Sequence, residues 1–311
     1  MNRLDAMELF IRVVETGSFT AAARLLQLPR ASATTRVQRL EERLGVKLLH
    51  RTTRRVSVTA EGALYYEECS RILRELHELE SELTRSTATP QGKLRIDVSS
   101  ATGPLLAPRL PSFFKRYPGI TIALGSTDHA VDLLAEGIDC VIRGGDLHDE
   151  TLAARKLGDI PVVTLASPGY LRRHGTPSSP DVLDGHIFVN FFSSKTGRTF
   201  EVDFERDGKK VTRLPAQQVA ANDSQTWIAL AVAGLGLVQT PASPNVRKLV
   251  EDGKLKRVLA QWTCEPLPIF VLYPQTRRLP ARVRVFIDWV VEVYRDEARL
   301  ADAFVARGVK A

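Results

Sequence analysis

Polar side chains lie along one face of the segment from Pro29 to Gly45. At helical spacing this face carries Arg30, Ala31, Thr34, Thr35, Arg36, Gln38 and Arg39. Arginine can donate two hydrogen bonds to guanine, glutamine can pair with adenine, and threonine can contact a phosphate or a thymine methyl group. No acidic residue occurs in the segment before Glu41. The residue types and their spacing predict a helix that reads base edges in DNA, and a plain three-helix bundle is the alternative.

An apolar stripe on the opposite face indicates which elements position these side chains. Ala33, Val37, Leu40 and Leu44 recur at spacings of four, three and four, as on one side of an amphipathic helix. Proline suits the start of a helix and glycine its end, so Pro29 and Gly45 are expected to bound it. Two earlier helices are predicted from their apolar residues, which are Leu4, Met7, Phe10 and Val14, then Ala22, Leu25 and Leu26. This order of helices is typical of a helix-turn-helix.

A short hairpin is predicted directly after the third helix. In VKLLHRTTRRVSVT, Leu48 and then Val56 and Val58 indicate two strands joined by a basic tip. Such a hairpin beside a helix-turn-helix is called a wing and suits phosphates or the minor groove. The predicted DNA contacts here are Arg51, Thr53, Arg54 and Arg55, together with Ser18, which can also cap the second helix.

Charge is concentrated in the same region. Between Arg24 and Arg55 there are nine basic and two acidic residues, a balance of +7 that equals the formal net charge of the 311-residue chain. The segment from Thr59 to Arg85 has a balance of −4. A local basic block favours a polyanion partner, and a solvated charged face is the alternative.

A heptad pattern follows the wing. Thr59 is expected to cap a long helix, with Glu61 in its first turn. Its apolar residues at spacings of four and three are Tyr65, Cys69, Ile72, Leu76, Leu79 and Leu83. This stripe predicts dimerisation through a second copy of the helix. The alternative is that the stripe packs on the chain's own body.

The run from Asp5 to Arg85 resembles the N-terminal domain of LysR-type transcriptional regulators. The matching pieces are MELFIRVVETGSFTAAARLLQL and RVQRLEERLGVKLLHRTTRRVSVTAEG, with the helix that follows. The family usually has a hydroxyl residue and then glutamine where this chain has Pro29 and Arg30. The resemblance implies a winged helix-turn-helix at 1–58, a linker helix and hinge at 59–90, and an effector-binding domain at 91–311. It also implies a homodimer or tetramer on double-stranded DNA, with RNA polymerase as a further partner.

The remaining two thirds of the chain alternate between strand and helix patterns. This texture predicts α/β layers with mostly parallel sheets. Two lobes are expected, lobe I at 92–163 plus 269–311 and lobe II at 164–268. The pieces GKLRI, DLLAEGIDCVIRGG and ALAVAGLGLVQTP resemble the two-lobed effector domain of the same family, which is like a periplasmic binding protein. A helix is also expected through Val131, Leu134 and Ala135.

Ligands of open α/β sheets lie at the carboxyl ends of the strands. A small-molecule effector is therefore expected among the residues at those ends. They are Ser99, Ser100, Thr102, Gly103, Thr127, Asp128, Arg143, Asn190, Phe192, Asn222, Asp223, Ser224 and Gln239. The hydroxyls and the single cation favour an anionic effector held by Arg143. A structural ion pair of Arg143 with Asp139 or Asp146 is the equal alternative.

Other function classes fit the sequence poorly. Ser112-x-x-Lys115 and Lys195-Thr196-Gly197 match two of three motifs of serine penicillin-binding enzymes, but the S-D-N motif is missing. The six histidines form no i,i+4 pair, and no metal site or cofactor is predicted. A protein that coats DNA without choosing sequence remains a rival, although the effector-like region argues against it.

The compartment is predicted from what the sequence lacks. The N-terminus carries no apolar signal core, and no apolar run approaches the ~18 residues of a membrane span. Cys69, Cys140 and Cys264 form no CxxC motif, so a reducing cytoplasm is expected. Cys69 falls in the heptad stripe, where a redox role is imaginable and a small hydrophobic role is the simpler expectation.

Overall fold

The structure, a computed structural model, describes residues 3–51, 56–83, 90–133, 135–145, 151–275 and 279–308. Its contacts divide the chain into two compact units, residues 1–88 and most of residues 89–311. Within the part described, no helix is long and apolar enough to cross a lipid bilayer.

The first unit is a winged helix-turn-helix followed by a long helix. Its elements are α1 Arg3–Thr16, α2 Phe19–Leu25, α3 Arg30–Leu44, β1 Leu49–Arg51, β2 Val56–Val58 and α4 Ala60–Leu83. The apolar stripe of α3 is buried as predicted, with Ala33 and Val37 fully inside the core. Leu25 is an exception, because it ends α2 and is 63% exposed, while Ala22 and Ala23 fill the core instead.

Three helix ends carry the capping residues that the sequence predicts. The Ser18 hydroxyl accepts from the Ala21 N–H at 3.3 Å and caps α2. Gly45 ends α3 with φ 71°, a left-handed conformation that glycine adopts without strain. The Thr59 hydroxyl accepts from the Gly62 N–H at 2.9 Å and caps α4. Gly62 also allows close packing, since a Cβ there would lie 2.0 Å from the Leu48 carbonyl oxygen.

The structure corrects the predicted role of the first two residues of the apolar stripe on α4. Tyr65, Cys69 and Leu73 pack into the core of the first unit, and the Tyr65 ring lies 5.6 Å from that of Phe10. Cys69 is 2% exposed, so Tyr65 and Cys69 contact the chain's own body rather than a second copy. Ile72 is 41% exposed and Leu76 is half-buried, so these two stay predicted dimer contacts. The side chains of Leu79 and Leu83 lie outside the described residues.

The second unit alternates between strands and helices. The elements up to the end of β8 are β3 Gly92–Val98, α5 Gly103–Leu106, α6 Leu110–Arg116, β4 Ile120–Ser126, β5 Cys140–Gly144, β6 Leu152–Ile160, β7 Val162–Ala166, α7 Pro168–His174 and β8 Phe188–Phe191. The later elements are β9 Val202–Arg206, β10 Lys209–Arg213, β11 Gln217–Ala221, α8 Ser224–Val232, β12 Val238–Pro241, α9 Pro244–Glu251, β13 Lys256–Arg257, β14 Leu267–Pro274 and α10 Ala281–Gly308. Single 3₁₀ segments cover Ala107–Arg109 and Pro180–Gly185.

Each lobe has its own sheets. Lobe I contains the five-stranded sheet β4-β3-β5-β14-β6, with β3 parallel to β4 and β5. Lobe II contains β12-β7-β13 and the parallel pair β11-β8. A bridge between Phe188 and Leu237 connects β8 to the start of β12. The architecture is therefore the predicted two-lobed α/β domain. The prediction of mostly parallel sheets is wrong, because β14 runs antiparallel to β5 and β6, and β12 and β13 run antiparallel to β7.

The structure moves the predicted lobe boundaries by about two residues. Val162 already belongs to lobe II, since β7 begins there. Leu267 and Pro268 belong to lobe I, because they pair with Ile160 and Asp159 of β6.

Other predicted elements change more. The predicted helix through Val131 and Ala135 is wrong, because the described residues between β4 and β5 form turns, and Leu134 lies outside them. The last helix, α10, extends to Gly308.

Candidate DNA-binding surface and effector cavity

The polar face of α3 is exposed where the base-reading prediction needs it. Thr35, Gln38 and Arg39 are exposed, while Thr34 and Arg36 are half-buried. The Arg36 Nε donates to the Ser32 hydroxyl at 2.9 Å, which holds this guanidinium along its own helix. The side chains of Arg30 and Ala31 lie outside the described residues. The exposed part of the predicted set is therefore concentrated in the middle of α3.

The wing is present as an antiparallel pair. Leu49, His50 and Arg51 of β1 face Val58, Ser57 and Val56 of β2. The predicted tip contacts Thr53, Arg54 and Arg55 lie outside the described residues, as does the side chain of Arg51. Ser18 is half-buried and uses its oxygen as a helix cap.

A buried carboxylate that the sequence reading missed joins α3 to the wing. Glu41 is 2% exposed. Its Oε1 accepts from the N–H groups of Leu48 and Leu49 at 3.0 and 3.1 Å, and its Oε2 lies 3.4 Å from the Lys47 ammonium. The available signal was a pair of acids, Glu41 and Glu42, on an otherwise basic helix, with Glu41 directly after the buried Leu40. Glu41 thereby fixes where β1 starts relative to α3.

The second unit contains a cavity of about 420 Å³ between the lobes. Seven of the predicted effector residues line it: Ser99, Thr102, Asp128, Arg143, Asn190, Ser224 and Gln239. Much of the remaining lining is apolar, from side chains such as Leu105, Ile160, Phe188 and Trp227. A concave, mostly apolar space with a few convergent polar groups is typical of a small-molecule site.

The other predicted effector residues do not line this cavity. Thr127 donates to Asp97 at 3.0 Å, and the Asn222 amide donates to the Ser194 hydroxyl at 3.2 Å. Gly103 begins α5, and Phe192 forms a backbone bridge with Thr199.

Asp128 joins the two lobes. Its carboxylate accepts from the backbone N–H and the hydroxyl of Ser100 at 3.1 and 2.6 Å, and from the Ser224 N–H at 2.6 Å. Ser100 is in lobe I, and Ser224 is the first residue of α8 in lobe II. The Gln225 amide donates to the Ser100 carbonyl at 3.0 Å beside it. We call these contacts the Asp128 bridge.

Asp223 caps α8 next to the Asp128 bridge. Burial alone raises the pKa of this carboxyl, but hydrogen bonds from Thr226, Ser100 and Gln225 outweigh burial and hold the pKa below its usual value. Asp223 is therefore ionised at neutral pH, so the start of α8 already carries two carboxylates of the chain itself.

Arg143 forms an ion pair with a carboxylate that is not one of its two predicted partners. Its Nη2 contacts the carboxylate of Asp97, which is 5% exposed, and also reaches the Thr127 hydroxyl and the His129 carbonyl at 3.3 Å. Asp139, one of the two partners considered, pairs with Arg282 at 2.9 Å instead. Asp146, the other, lies outside the described residues. The cation that motivated an anionic effector is thus neutralised within lobe I.

Hydroxyl groups in the cavity wall also bond to each other. The Ser99 and Thr102 hydroxyls lie 2.9 Å apart, and Thr102 lies 2.9 Å from the Tyr294 hydroxyl. Burial raises the pKa of Tyr294, so this phenol stays protonated and can donate. Ser99, Thr102 and Tyr294 all line the cavity, so the three hydroxyls form one hydrogen-bonded row in its wall.

No metal or thiol chemistry is indicated. The described residues contain no group of three metal-ligating side chains. Burial raises the pKa of all three thiols, to about 12 for Cys264, which disfavours the reactive thiolate. The two motifs that resemble penicillin-binding enzymes lie in different lobes. Ser112, on α6 in lobe I, donates to the Arg109 carbonyl, and Lys195 lies in a turn of lobe II.

A winged helix-turn-helix and a separate two-lobed domain with an enclosed cavity define a ligand-responsive DNA-binding protein. Residues 4–63 match the model of bacterial regulatory helix-turn-helix proteins of the lysR family, and residues 87–295 match the LysR substrate binding domain. The chain belongs to the LysR family of bacterial transcriptional regulators.

Characterised relatives align over almost the whole chain. An HTH-type transcriptional repressor of Pseudomonas aeruginosa is 39% identical over 96% of this chain and 95% of its own. The HTH-type transcriptional activator AaeR of Escherichia coli is 35% identical over 99% of both. The solved structure of CrgA from Neisseria meningitidis, a LysR-type transcriptional regulator, shares 34% identity over 94% of this chain and 99% of its own, with a TM-score of 0.57. The full-length Vibrio cholerae virulence activator AphB, at 31% identity over the same shares of the two chains, also has a TM-score of 0.57.

Proposed function

We propose that this chain is a cytoplasmic, non-enzymatic regulator that binds a two-fold operator as a homodimer or tetramer. In this proposal α3 enters the major groove, the wing contacts the backbone, and Ile72 and Leu76 belong to the dimer contact. The observation that carries it is the exposed row of Thr35, Gln38 and Arg39 on the face opposite the buried Ala33, Val37 and Leu40. RNA polymerase is a further proposed partner, on family resemblance alone.

Gln38 gives the sharpest test of base reading. A glutamine paired with adenine contributes about 1–3 kcal/mol of discrimination. Gln38→Ala is therefore expected to weaken binding to the operator about 10- to 100-fold and binding to random DNA little. Arg43→Ala, a charge removal in the last turn of the same helix, is expected to weaken both alike. Fluorescence anisotropy at fixed salt measures the four affinities, and equal losses on both DNAs for Gln38→Ala would contradict the assignment.

For the second unit, we propose that a small molecule in the cavity changes how the two lobes are held and thereby how the dimer sits on DNA. The Asp128 bridge supports this, because it crosses the cavity with charge-assisted hydrogen bonds from lobe I to the start of α8. A ligand that binds one lobe arrangement better shifts the population toward it.

Asp128→Asn is expected to loosen the bridge. An amide has one acceptor oxygen and no charge, so it cannot accept from both the Ser100 N–H on one side and the Ser100 hydroxyl and Ser224 N–H on the other. Losing a hydrogen bond to a charged group costs about 1.5–3 kcal/mol. Amide exchange at Ser224 and Gln225 should therefore accelerate at least tenfold in hydrogen-exchange mass spectrometry. Asp296→Asn, an exposed carboxylate on α10, is the control and should leave these amides unchanged. Unchanged exchange in Asp128→Asn would mean that the bridge does not hold the lobes.

A further inference from the structure

The charges around the cavity determine the chemical class of its ligand. We infer that the effector is an organic cation, an ammonium group on an apolar or aromatic body. This inference rests on the proposed function, because it assumes that the cavity is where the effector binds.

Acidic side chains outnumber basic ones in the cavity wall. Arg143 is the one basic lining residue among those described, against the acidic residues Asp128, Glu201, Asp203, Glu265 and Glu297. Three of these six charged groups already have a partner within the protein. Arg143 pairs with Asp97, Glu297 pairs with Arg247 at 2.5 Å, and Asp128 forms the bridge.

The other three carboxylates form an acidic rim, Glu201, Asp203 and Glu265. In the described part of the chain, no basic side chain lies within ion-pair distance of any of them. Asp203 Oδ2 accepts from the Glu265 N–H at 2.6 Å, which holds the segment before β14 next to β9. The rim therefore places negative charge at the cavity without a cation from the described residues to balance it.

Two amide side chains predicted to bind the effector hold this rim in place. The Gln239 amide accepts from the Asp203 N–H at 3.1 Å and donates to the Asp203 carbonyl at 2.8 Å. The Asn190 amide donates to the Phe200 carbonyl at 2.8 Å. Because both ends of the segment Phe200–Asp203 are hydrogen-bonded to lobe II strands, its backbone is held in place, with Glu201 exposed and Asp203 half-buried.

Aromatic rings lie beside the acidic rim. The Phe191 ring centroid is 6.3 Å from that of Phe200 and 5.2 Å from that of Trp227, and all three residues line the cavity. The Trp227 indole N–H donates to the Val189 carbonyl at 2.8 Å, which fixes that ring. Aromatic faces attract cations, so rings and carboxylates together favour a positively charged ligand.

An anionic ligand would meet the opposite environment. The start of α8, where helix geometry favours an anion, already holds the carboxylate of Asp128. Arg143 has its own carboxylate partner in Asp97. A ligand carboxylate would therefore face the acidic rim with no available counter-charge among the described groups, and like charges at short range repel.

The test compares three ligands of one skeleton on the full-length protein by isothermal titration calorimetry at pH 7. They are 4-phenylbutylammonium, 4-phenylbutanol and 4-phenylbutanoate. The ammonium is expected to bind at least tenfold more tightly than the alcohol, and the butanoate more weakly than both. Tighter or equal binding of the butanoate, or no binding of the ammonium, would overturn the inference.

A rim variant separates specific recognition from general attraction. In the double variant Glu201→Gln with Glu265→Gln, the ammonium should lose at least tenfold in affinity while the alcohol is unchanged. Glu205→Gln, on the same hairpin but not in the cavity wall, is the control and should change neither. Equal ammonium affinity in the rim variant and the wild type would also overturn the inference. Operator selectivity, measured in parallel without ligand, tests the proposed function separately.

Discussion

Replacing Glu41 by alanine is expected to lower the free energy of unfolding of the DNA-binding unit by about 3 kcal/mol and to abolish operator binding. The side chain is the buried acceptor for the N–H groups of Leu48 and Leu49. Each buried donor left without a partner costs about 1–3 kcal/mol. A whole domain is stable by only about 5–15 kcal/mol, so this loss is a large fraction. Loss of the contact also frees β1 from α3, which separates the wing from the recognition helix.

Hydrogen-exchange mass spectrometry measures this effect locally. Peptides covering β1 and the end of α3 should exchange much faster in Glu41→Ala. Glu41→Gln keeps one acceptor oxygen, so its exchange rate should lie between those of Glu41→Ala and the wild type. Glu42→Ala is a matched control, because its side chain is exposed one position away. All three tryptophans, Trp227, Trp262 and Trp289, belong to the second unit. Their fluorescence transition should be unchanged, and wild-type protection of β1 in Glu41→Ala would contradict the account.

Glu297→Gln is expected to destabilise the effector unit by about 3–5 kcal/mol, the usual cost of removing one partner from a buried ion pair. Glu297 on α10 is 2% exposed and receives both Arg247 guanidinium nitrogens, at 2.5 and 3.3 Å. Arg109 lies 3.8 Å away on the other side. Without the carboxylate, two arginines would remain near a largely apolar interior. Arg247 belongs to lobe II and Glu297 to lobe I, so the pair also connects the lobes.

Urea unfolding followed by tryptophan fluorescence measures this loss. Glu292→Gln on the same helix is the control, because its contact with Arg116 is 3.5 Å long and both side chains are 57% exposed. Exposed pairs contribute about 0–1 kcal/mol, so this variant should unfold almost like the wild type. A loss below 1 kcal/mol in Glu297→Gln would show that the buried pair contributes little.

Local patterns were sufficient to predict the DNA-binding fold. The spacing of four and three between Ala33, Val37 and Leu40 identifies the buried side of α3, and the same spacing leaves Gln38 and Arg39 outside. Caps at Ser18 and Thr59 depend on neighbours a few residues away, so the sequence displays them directly. The same reasoning failed for Leu25, because its exposure depends on where α2 ends rather than on periodicity.

Contacts between distant residues were not predictable in this way. Arg143 finds Asp97, 46 positions earlier, because β3 and β5 are adjacent strands of one sheet. Asp128 reaches Ser224 only because the two lobes close on each other. Apolar spacing on α4 fits either a partner helix or the chain's own core, and the structure uses Tyr65 and Cys69 for the core. Spacing along the chain carries no information that separates these alternatives.

The acidic rim is another set of neighbours that spacing along the sequence does not predict. Glu201 and Asp203 look like exposed charges of a polar hairpin, and Glu265 precedes a buried strand. Only the folded arrangement brings them to one cavity with Phe200 and Trp227. Seven of the thirteen residues chosen by the strand-end rule line the cavity, and the rule did not select Glu201, Asp203 or Glu265.

Selection of bound sequences from a random DNA library tests the central claim most directly. Sequence-specific reading by α3 predicts that the purified full-length chain enriches a two-fold-related sequence. Its half-sites should lie about one helical turn, ~34 Å, or a multiple of it apart. Gln38→Ala should lose the preference at one base pair in each half-site. Retention of DNA without enrichment of any sequence would contradict the claim and favour a protein that coats DNA.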